Sequence, residues 1–210
     1  MSILRTGALE LRGRRISLRP LAAADWEQWR EVRTSGKGWL VKWEPAPLLG
    51  TPDPADDRRV FAARCGARDR ERQLGTGYGF GVFLEDRFCG EINLSGIQRG
   101  PFQNGYVGYW IDERCAGRGY TPEAVITLFR FAFEEIHLHR LQVAIIPRNE
   151  ASNRVAQKLD LRHEGTALRY LEINGVWEDH YRYAMTVEDW WERRRELLED
   201  WILPLQSPRT

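Results

Sequence analysis

A glycine turn between a predicted strand and a predicted helix constrains this chain more than any other feature of its sequence. The strand covers residues 106–111, which are aromatic, β-branched or glycine. The helix begins at Thr121-Pro122-Glu123, which supplies a capping hydroxyl, a first-turn proline and an early acid. Gly117 and Gly119 lie between the two. The stretch 104–136 therefore predicts a strand that passes through a tight turn directly into a helix.

The turn has the properties of an anion site. Glycine has no Cβ, so the backbone can turn tightly and approach a ligand closely. The first N–H groups of a helix lack intrahelical partners, and the helix dipole favours negative charge there. Arg114 and Arg118 add positive charge. An ordinary αβ loop that contains glycine remains the alternative. Two other phosphate motifs are excluded, because the chain lacks Gly-x-x-x-x-Gly-Lys-Ser/Thr and Pro122 replaces the third glycine of Gly-x-Gly-x-x-Gly.

Length and composition restrict the class of protein. A chain of 210 residues is one domain, or one domain with a terminal extension. Its net charge of +1 gives no electrostatic case for a nucleic-acid binder, and no apolar run predicts a membrane span or a signal peptide. Cys65, Cys89 and Cys115 are odd in number and scattered, so we expect reduced thiols and a cytoplasmic location. No cluster has metal-ligand spacing, so we predict no metal.

The order of predicted elements indicates a mixed sheet with helices on both faces. Residues 141–146 form a near-continuous apolar run, which is typical of a strand that is buried on both faces and parallel to a neighbour. Asn174-Gly175 predicts a type I′ hairpin turn. Predicted strands cover 16–20, 78–84, 88–97, 106–111, 141–146, 167–173 and 176–185, and predicted helices begin at 25, 54, 121, 149 and 186.

This order and three sets of motifs resemble the GNAT acetyltransferases. Arg114-x-x-Gly117-x-Gly119 resembles their acyl-CoA pyrophosphate loop, and Pro147-x-Asn149-x-x-Ser152-Asn153 resembles their second cofactor-binding helix. The motifs Trp43-Glu44-Pro45, His139-Arg140, Glu164-Gly165 and Ile173-Asn174-Gly175-x-Trp177-x-Asp179-His180 resemble those of the Rim-type ribosomal-protein alanine N-acetyltransferases. One departure is Leu159-Asp160-Leu161, where the family pattern is Leu-Gly-Phe.

The resemblance implies an α/β fold with a seven-stranded, mostly antiparallel sheet. A central parallel pair of strands would be splayed apart, and helices would cover both faces. The GNAT domain would occupy residues 1–187, and residues 188–210 would form a C-terminal helix and tail packed on the same domain. The implied cofactor is acetyl-CoA, whose pantetheine arm would pair with the splayed strands.

The resemblance also implies a set of cofactor-binding residues. The backbone of the glycine turn, together with Thr121, would hold the pyrophosphate, and the Ile111 N–H would bind the thioester oxygen. Asn149 and Asn153 would contact the pantetheine, and Ser152 would hydrogen-bond the CoA sulfur and stabilise or protonate the departing thiolate. The full set is Trp110, Ile111, Asp112, Arg114, Gly117, Arg118, Gly119, Tyr120, Thr121, Asn149, Ser152 and Asn153.

Catalysis would be direct attack by an amine on the acetyl thioester. An α-amino group has a pKa of about 7.7–8.0, against about 10.4 for lysine, so a weak base or a water chain suffices for a protein N-terminus. Glu91 is the first candidate base, acting through water. Glu44 is expected to hold the ammonium form, and Asp179 and His180 are the third choice. For each acid the alternative is a carboxylate that only pairs within the fold.

The favoured acceptor is a protein N-terminus, with Ala of a ribosomal protein as the specific expectation. Trp39 and Trp43 lie in a loop rich in glycine and proline and are expected to wall the acceptor groove. The alternatives are a small amine, such as a polyamine or an aminoglycoside, and a non-catalytic CoA-binding module. We expect a monomer or homodimer without direct contacts to nucleic acid or membrane.

Overall fold

One eight-stranded sheet forms the centre of the computed structural model, which describes residues 9–47 and 49–204. The strand order is β1-β2-β3-β4-β5-β6-β8-β7, and only the neighbours β5 and β6 are parallel. The strands are β1 (Leu11–Arg12), β2 (Ile16–Arg19), β3 (Tyr78–Leu84), β4 (Arg87–Gln98), β5 (Asn104–Ile111), β6 (Arg140–Ile145), β7 (Arg162–Ile173) and β8 (Val176–Thr186).

Helices cover both faces of the sheet. The helices are α1 (Trp26–Ser35), α2 (Lys37–Leu40), α3 (Arg58–Leu74), α4 (Tyr120–Arg130), α5 (Glu150–Lys158) and α6 (Val187–Trp201). The larger core joins one sheet face to α4, α5 and α6, and includes Phe129, Ala156 and Trp190. A smaller core under α1 and α3 covers the opposite face and includes Trp29 and Phe61.

The predicted fold class is confirmed, with differences at several element boundaries. The sheet has eight strands instead of seven, because the two-residue strand β1 pairs with β2 and is too short to leave a pattern in the sequence. The predicted helix at 54–72 begins at Arg58 behind an Asp57 cap. The loop at 36–54 contains α2, and the helix expected to run to 136 changes to π-helical geometry over Phe131–Glu135.

The parallel strands β5 and β6 separate soon after they meet. They pair only at Asn104↔Arg140, Gly105↔Leu141 and Tyr106↔Gln142. Beyond these pairs, residues 107–111 of β5 continue along β4, and residues 143–145 of β6 continue along β8. The space between these two runs, called the gap below, is the splayed parallel pair that the family resemblance implied.

Helix α6 packs on the main core. Trp190 is fully buried and Leu197 is 1% exposed, and both belong to the larger core. This packing agrees with the expected placement of a C-terminal helix on the same domain, while the division at residue 187 stays a prediction. The tail at 205–210 and residues 1–8 lie outside the described residues. None of the helices described is long and apolar enough to cross a membrane.

Asp160 shows how the chain accommodates its departure from the family pattern. Its φ is +46°, a left-handed conformation that favours glycine at the end of a helix. Arg193 of α6 donates to the carbonyls of Leu159 and Asp160 at 3.1 Å each. An arginine from another helix therefore satisfies carbonyls at the end of α5.

Candidate active site

The glycine turn has the geometry that the sequence predicted. Gly117 has φ +75° and Gly119 has φ +83°, a left-handed conformation that L-residues with a side chain rarely adopt. Gly119 is the N-cap of α4, so the turn leads directly into the helix. Within the described chain, no protein acceptor pairs with the N–H groups of residues 117–120. Four adjacent amides at a helix N-terminus are therefore available to an anion.

The amide of Ile111 faces the gap. Asp112 donates its N–H to the Cys89 carbonyl at 2.7 Å, and Ile111 stands opposite Gly90 in the same antiparallel pair. Because hydrogen-bonded and non-hydrogen-bonded pairs alternate in such a ladder, both main-chain groups of Ile111 point away from β4. Its carbonyl accepts from the Trp39 indole at 3.1 Å. The N–H has no partner among the residues described and is free for a thioester oxygen.

The same alternation corrects the predicted roles of Trp110 and Asp112. The Asp112 amide bonds Cys89, and the Trp110 amide faces Glu91 on β4, so neither faces the gap. Tyr109 faces the gap instead, which the sequence did not reveal. Its hydroxyl donates to the Ser152 carbonyl at 3.3 Å, and burial raises the pKa of that phenol. Tyr109 therefore links β5 to α5.

The two arginines of the glycine turn differ in their availability. Arg114 is bound to the carboxylates of Asp112 and Glu31, and hydrogen bonds to these two groups raise its pKa. Burial favours a raised pKa for Asp112, but hydrogen bonds from Arg114 outweigh it and lower that pKa. Arg118 is exposed, and its guanidinium makes no ion pair with any described residue. Arg118, and not Arg114, is the cation that remains available to a phosphate.

Three residues of the predicted second motif lie at the start of α5. The Asn149 side chain caps the helix by accepting from the Ser152 N–H at 3.2 Å. Asn153 is buried, donates to the carbonyls of Ile146, Pro147 and Asn149, and accepts from Tyr183. These internal bonds favour a structural role for Asn153 over the predicted pantetheine contact. The Ser152 hydroxyl is half-buried and has no hydrogen-bond partner within the described chain.

The predicted acids are held by arginines. Glu91 is 3% exposed, and its two oxygens accept from the Trp29 indole at 2.6 Å and from Arg64 at 2.5 Å. Glu44 makes a bidentate pair with Arg33 at 2.6 and 2.7 Å. Burial favours a lowered pKa for Arg33, but its bonds to Glu44 outweigh this and raise the pKa. These pairs oppose the predicted roles of Glu91 as a base and Glu44 as the ammonium ligand, because both carboxylates already have a cationic partner.

The third-choice pair divides between two positions. Asp179 accepts from the Arg169 N–H at 2.8 Å and caps a local turn. His180 is buried, stacks on Tyr170 and places Nδ1 3.0 Å from the Glu178 carbonyl. A carbonyl only accepts, so this contact assigns the ring proton to Nδ1 and leaves a lone pair on Nε2. His180 is therefore the candidate whose geometry still permits it to accept a proton.

The tryptophan loop and the last hairpin meet over the open end of the gap. Asn174, at the tip of the β7–β8 hairpin, donates its side-chain amide to the Val41 carbonyl at 2.8 Å. Trp39 binds the end of β5, as described above, and Trp43 lies beneath the guanidinium of Arg148, which follows β6. These contacts enclose the end of the gap on the face that carries α1 and α3, opposite α4 and α5.

Cys115, which precedes the glycine turn, packs against Cys89. The two sulfurs are 3.2 Å apart and both residues are buried. Burial raises the pKa of the Cys89 thiol to about 12, and the contact with Cys115 raises it further. Such a thiol is almost entirely protonated at neutral pH and a poor nucleophile. This agrees with the expectation that Cys115 is a bystander. No group of three or more His, Cys, Asp or Glu side chains in residues 9–47 and 49–204 is placed to hold a metal.

The geometry fits a cofactor with a diphosphate and an extended thiol arm. The free amides of residues 117–120 match a diphosphate, and the open edge of β5 can pair with an amide-containing arm as a neighbouring strand would. The model for the acetyltransferase (GNAT) domain matches residues 15–162. The chain therefore belongs to the GNAT acetyltransferase family, and it is an N-acetyltransferase that uses acetyl-CoA.

Individual relatives point in the same direction. The chain is 33% identical over 181 residues to "Probable N-acetyltransferase YjcK" of Bacillus subtilis (strain 168), covering 85% of this chain and 98% of that protein. It is 31% identical to the "[Ribosomal protein uS5]-alanine N-acetyltransferase" of Escherichia coli (strain K12), over 79% and 86% of the two chains. The structure of Mycobacterium smegmatis RimJ in complex with CoA-disulfide superposes with a TM-score of 0.80 at 27% identity, over 91% and 92%.

Proposed function

We propose that this enzyme acetylates the α-amine of a protein N-terminus, with N-terminal Ala of a ribosomal protein as the expected acceptor. One observation carries the choice of a peptide over a small polyamine. Three carboxylates on the acceptor side, those of Glu44, Glu91 and Glu178, are each paired with an arginine. A polycationic acceptor needs several free carboxylates, whereas a single N-terminal amine does not.

The enclosed end of the gap supports the same acceptor. The cofactor arm approaches from the side of α4 and α5, so the acceptor enters from the face that carries α1 and α3. On that face the tryptophan loop and the β7–β8 hairpin touch through Asn174 and Val41. This contact leaves a passage whose walls are aromatic rings and main chain. An extended chain end can enter it with its amine leading. The relatives named for ribosomal-protein substrates agree with this acceptor.

The residues of this chain then divide the work. Bound acetyl-CoA supplies the acetyl thioester that the amine attacks. The Ile111 N–H points at the gap, where it can donate to an oxygen that gains negative charge in the transition state. The Ser152 hydroxyl is free to donate to a departing sulfur. His180 has a ring nitrogen with an open lone pair and an ordinary pKa of about 6.5, which suits a weak base for an α-amine near neutral pH.

A pH profile and an acceptor panel test the proposal. With an Ala-initiated peptide, kcat/KM is expected to rise with pH and to level off near the α-amine pKa of about 7.7–8.0, because only the neutral amine attacks. A lysine acceptor would keep gaining rate toward pH 10. Release of CoA thiol is measured with Ala-, Ser- and Met-initiated peptides, spermidine and an aminoglycoside, and with an N-formylated peptide as the control. Turnover of a small amine with none of the peptides would refute the proposed acceptor.

A further inference from the structure

A buried ion pair lies directly behind the glycine turn. Glu123, in the first turn of α4, is 1% exposed and accepts from Arg15 Nε and Nη2 at 2.8 Å each. It also accepts from the backbone N–H groups of Arg15 and Ile16. The pair therefore fixes the start of β2 to the N-terminus of α4.

The Arg15 guanidinium also touches the turn itself. Its Nη1 donates to the Arg118 carbonyl at 3.0 Å, and its Cζ lies 4.7 Å from the centre of the Tyr120 ring. A Cβ built on Gly119 would lie 3.3 Å from Arg15 Nη2. One side chain thus contacts three consecutive residues of the turn whose amides are free.

The contact with the Arg118 carbonyl sets the direction of a free amide. A trans peptide is planar, and its C=O and N–H point in opposite directions. Because Arg15 holds the Arg118 carbonyl on its own side, the following N–H, that of Gly119, points to the opposite side, away from the ion pair. That side is where the diphosphate must lie if the four amides are to bind it.

Charge gives Arg15 a second effect. Glu123 is an anion in the first turn of the helix, close to the position that a diphosphate would occupy. Without Arg15, its negative charge would repel the diphosphate and offset the attraction of the helix dipole. Arg15 neutralises this charge, so the free amides and Arg118 can act on the anion.

We propose that Arg15 is a positioning residue for the CoA diphosphate, acting by orienting the 118–119 peptide and by neutralising Glu123. The two members of the ion pair then have opposite effects on CoA affinity. Loss of Arg15 frees the peptide and exposes the Glu123 charge, whereas loss of the Glu123 charge leaves the Arg15 cation beside the anion. A pair that only stabilises the fold would give the same result from either side.

The test compares Arg15→Gln with Glu123→Gln by calorimetric titration with CoA. Arg15→Gln is expected to weaken CoA binding about 10-fold, the equivalent of one hydrogen bond to an ordered group. Glu123→Gln is expected to bind CoA as tightly as the unmodified protein or more tightly. Arg19→Gln is the matched control, because Arg19 lies on the same strand and forms a bidentate pair with Asp25 away from the turn. Its CoA affinity is expected to be unchanged.

A second measurement separates positioning from loss of fold. Turnover of S-acetylpantetheine, which lacks the diphosphate, is expected to keep its kcat/KM in Arg15→Gln, while KM for acetyl-CoA rises about 10-fold. Circular dichroism confirms that each titrated sample is folded, and Arg15→Lys replaces Arg15→Gln if the latter does not fold. Equal weakening of CoA binding by Arg15→Gln and Glu123→Gln, or unchanged CoA affinity in both Arg15 variants, would overturn the proposal.

Discussion

Replacement of Ile111 by proline is expected to lower kcat by about 10²–10³-fold, the usual effect of removing one oxyanion-hole donor. Proline removes the N–H that faces the gap. Because that N–H is not part of the ladder with β4, the change removes no strand-pairing hydrogen bond. Affinity for CoA is expected to fall much less than kcat, since the diphosphate site at residues 117–120 is unchanged. Steady-state kinetics and titration with CoA measure the two effects.

Ile111→Val is the control for the proline variant. Valine keeps the N–H and the β-branched shape, so kcat is expected to stay within a factor of about three. A folded Ile111→Pro enzyme with the kcat of the Ile111→Val enzyme would show that this amide does not stabilise the transition state.

Replacement of Ser152 by alanine is expected to lower kcat about 10²-fold, at the lower end of what general acid catalysis contributes. The Ser152 hydroxyl has no protein partner in the described chain, and its backbone N–H, not its side chain, makes the cap with Asn149. The substitution therefore leaves α5 intact, and KM for acetyl-CoA is expected to change little. The measurement is initial-rate kinetics with an Ala-initiated peptide.

Ser152→Thr is the matched variant, because threonine retains a hydroxyl at the same atom. It is expected to recover at least part of the lost kcat. If Ser152→Ala turns over at the unmodified rate, the hydroxyl has no part in releasing the thiol, and the leaving group takes its proton from solvent.

Local features of the site were predictable from sequence because their cause is local. Gly117 and Gly119 have positive φ angles, and Asn174 and Gly175 at the hairpin turn have φ +50° and +82°. Asn149 caps α5 and Thr186 caps α6, as their positions before apolar-periodic segments indicated. Each of these signals depends on a few consecutive residues and on the backbone conformation that they favour.

Pairings between distant segments were not predictable in the same way. Glu91 and Glu44 looked available in the sequence, and only the packing of α1 and α3 against the sheet brings Arg64 and Arg33 to them. Arg15 and Glu123 are joined because β2 lies beside the N-terminus of α4. A single sequence carries no local signal for such contacts, so the charged members of the site were assigned less well than its glycines.

The direction of backbone amides was also outside the reach of the sequence pattern. Trp110, Ile111 and Asp112 were all expected to serve the cofactor, but the register of β5 against β4 turns only Ile111 toward the gap. The register depends on the bulge between Ser95 and Gln98 as well as on the side-chain alternation. A shift by one residue would have exposed the other two amides instead.

Hydrogen exchange of backbone amides, measured with and without CoA, tests the central claim most directly. The amides of Ile111, Gly117, Arg118, Gly119 and Tyr120 are expected to exchange rapidly in the free protein, because no protein group accepts from them, and to become protected when CoA binds. The amide of Asp112, already bonded to Cys89, is the internal reference for a protected site. Strong protection of the five amides without CoA, or no change when CoA saturates the protein, would contradict the account.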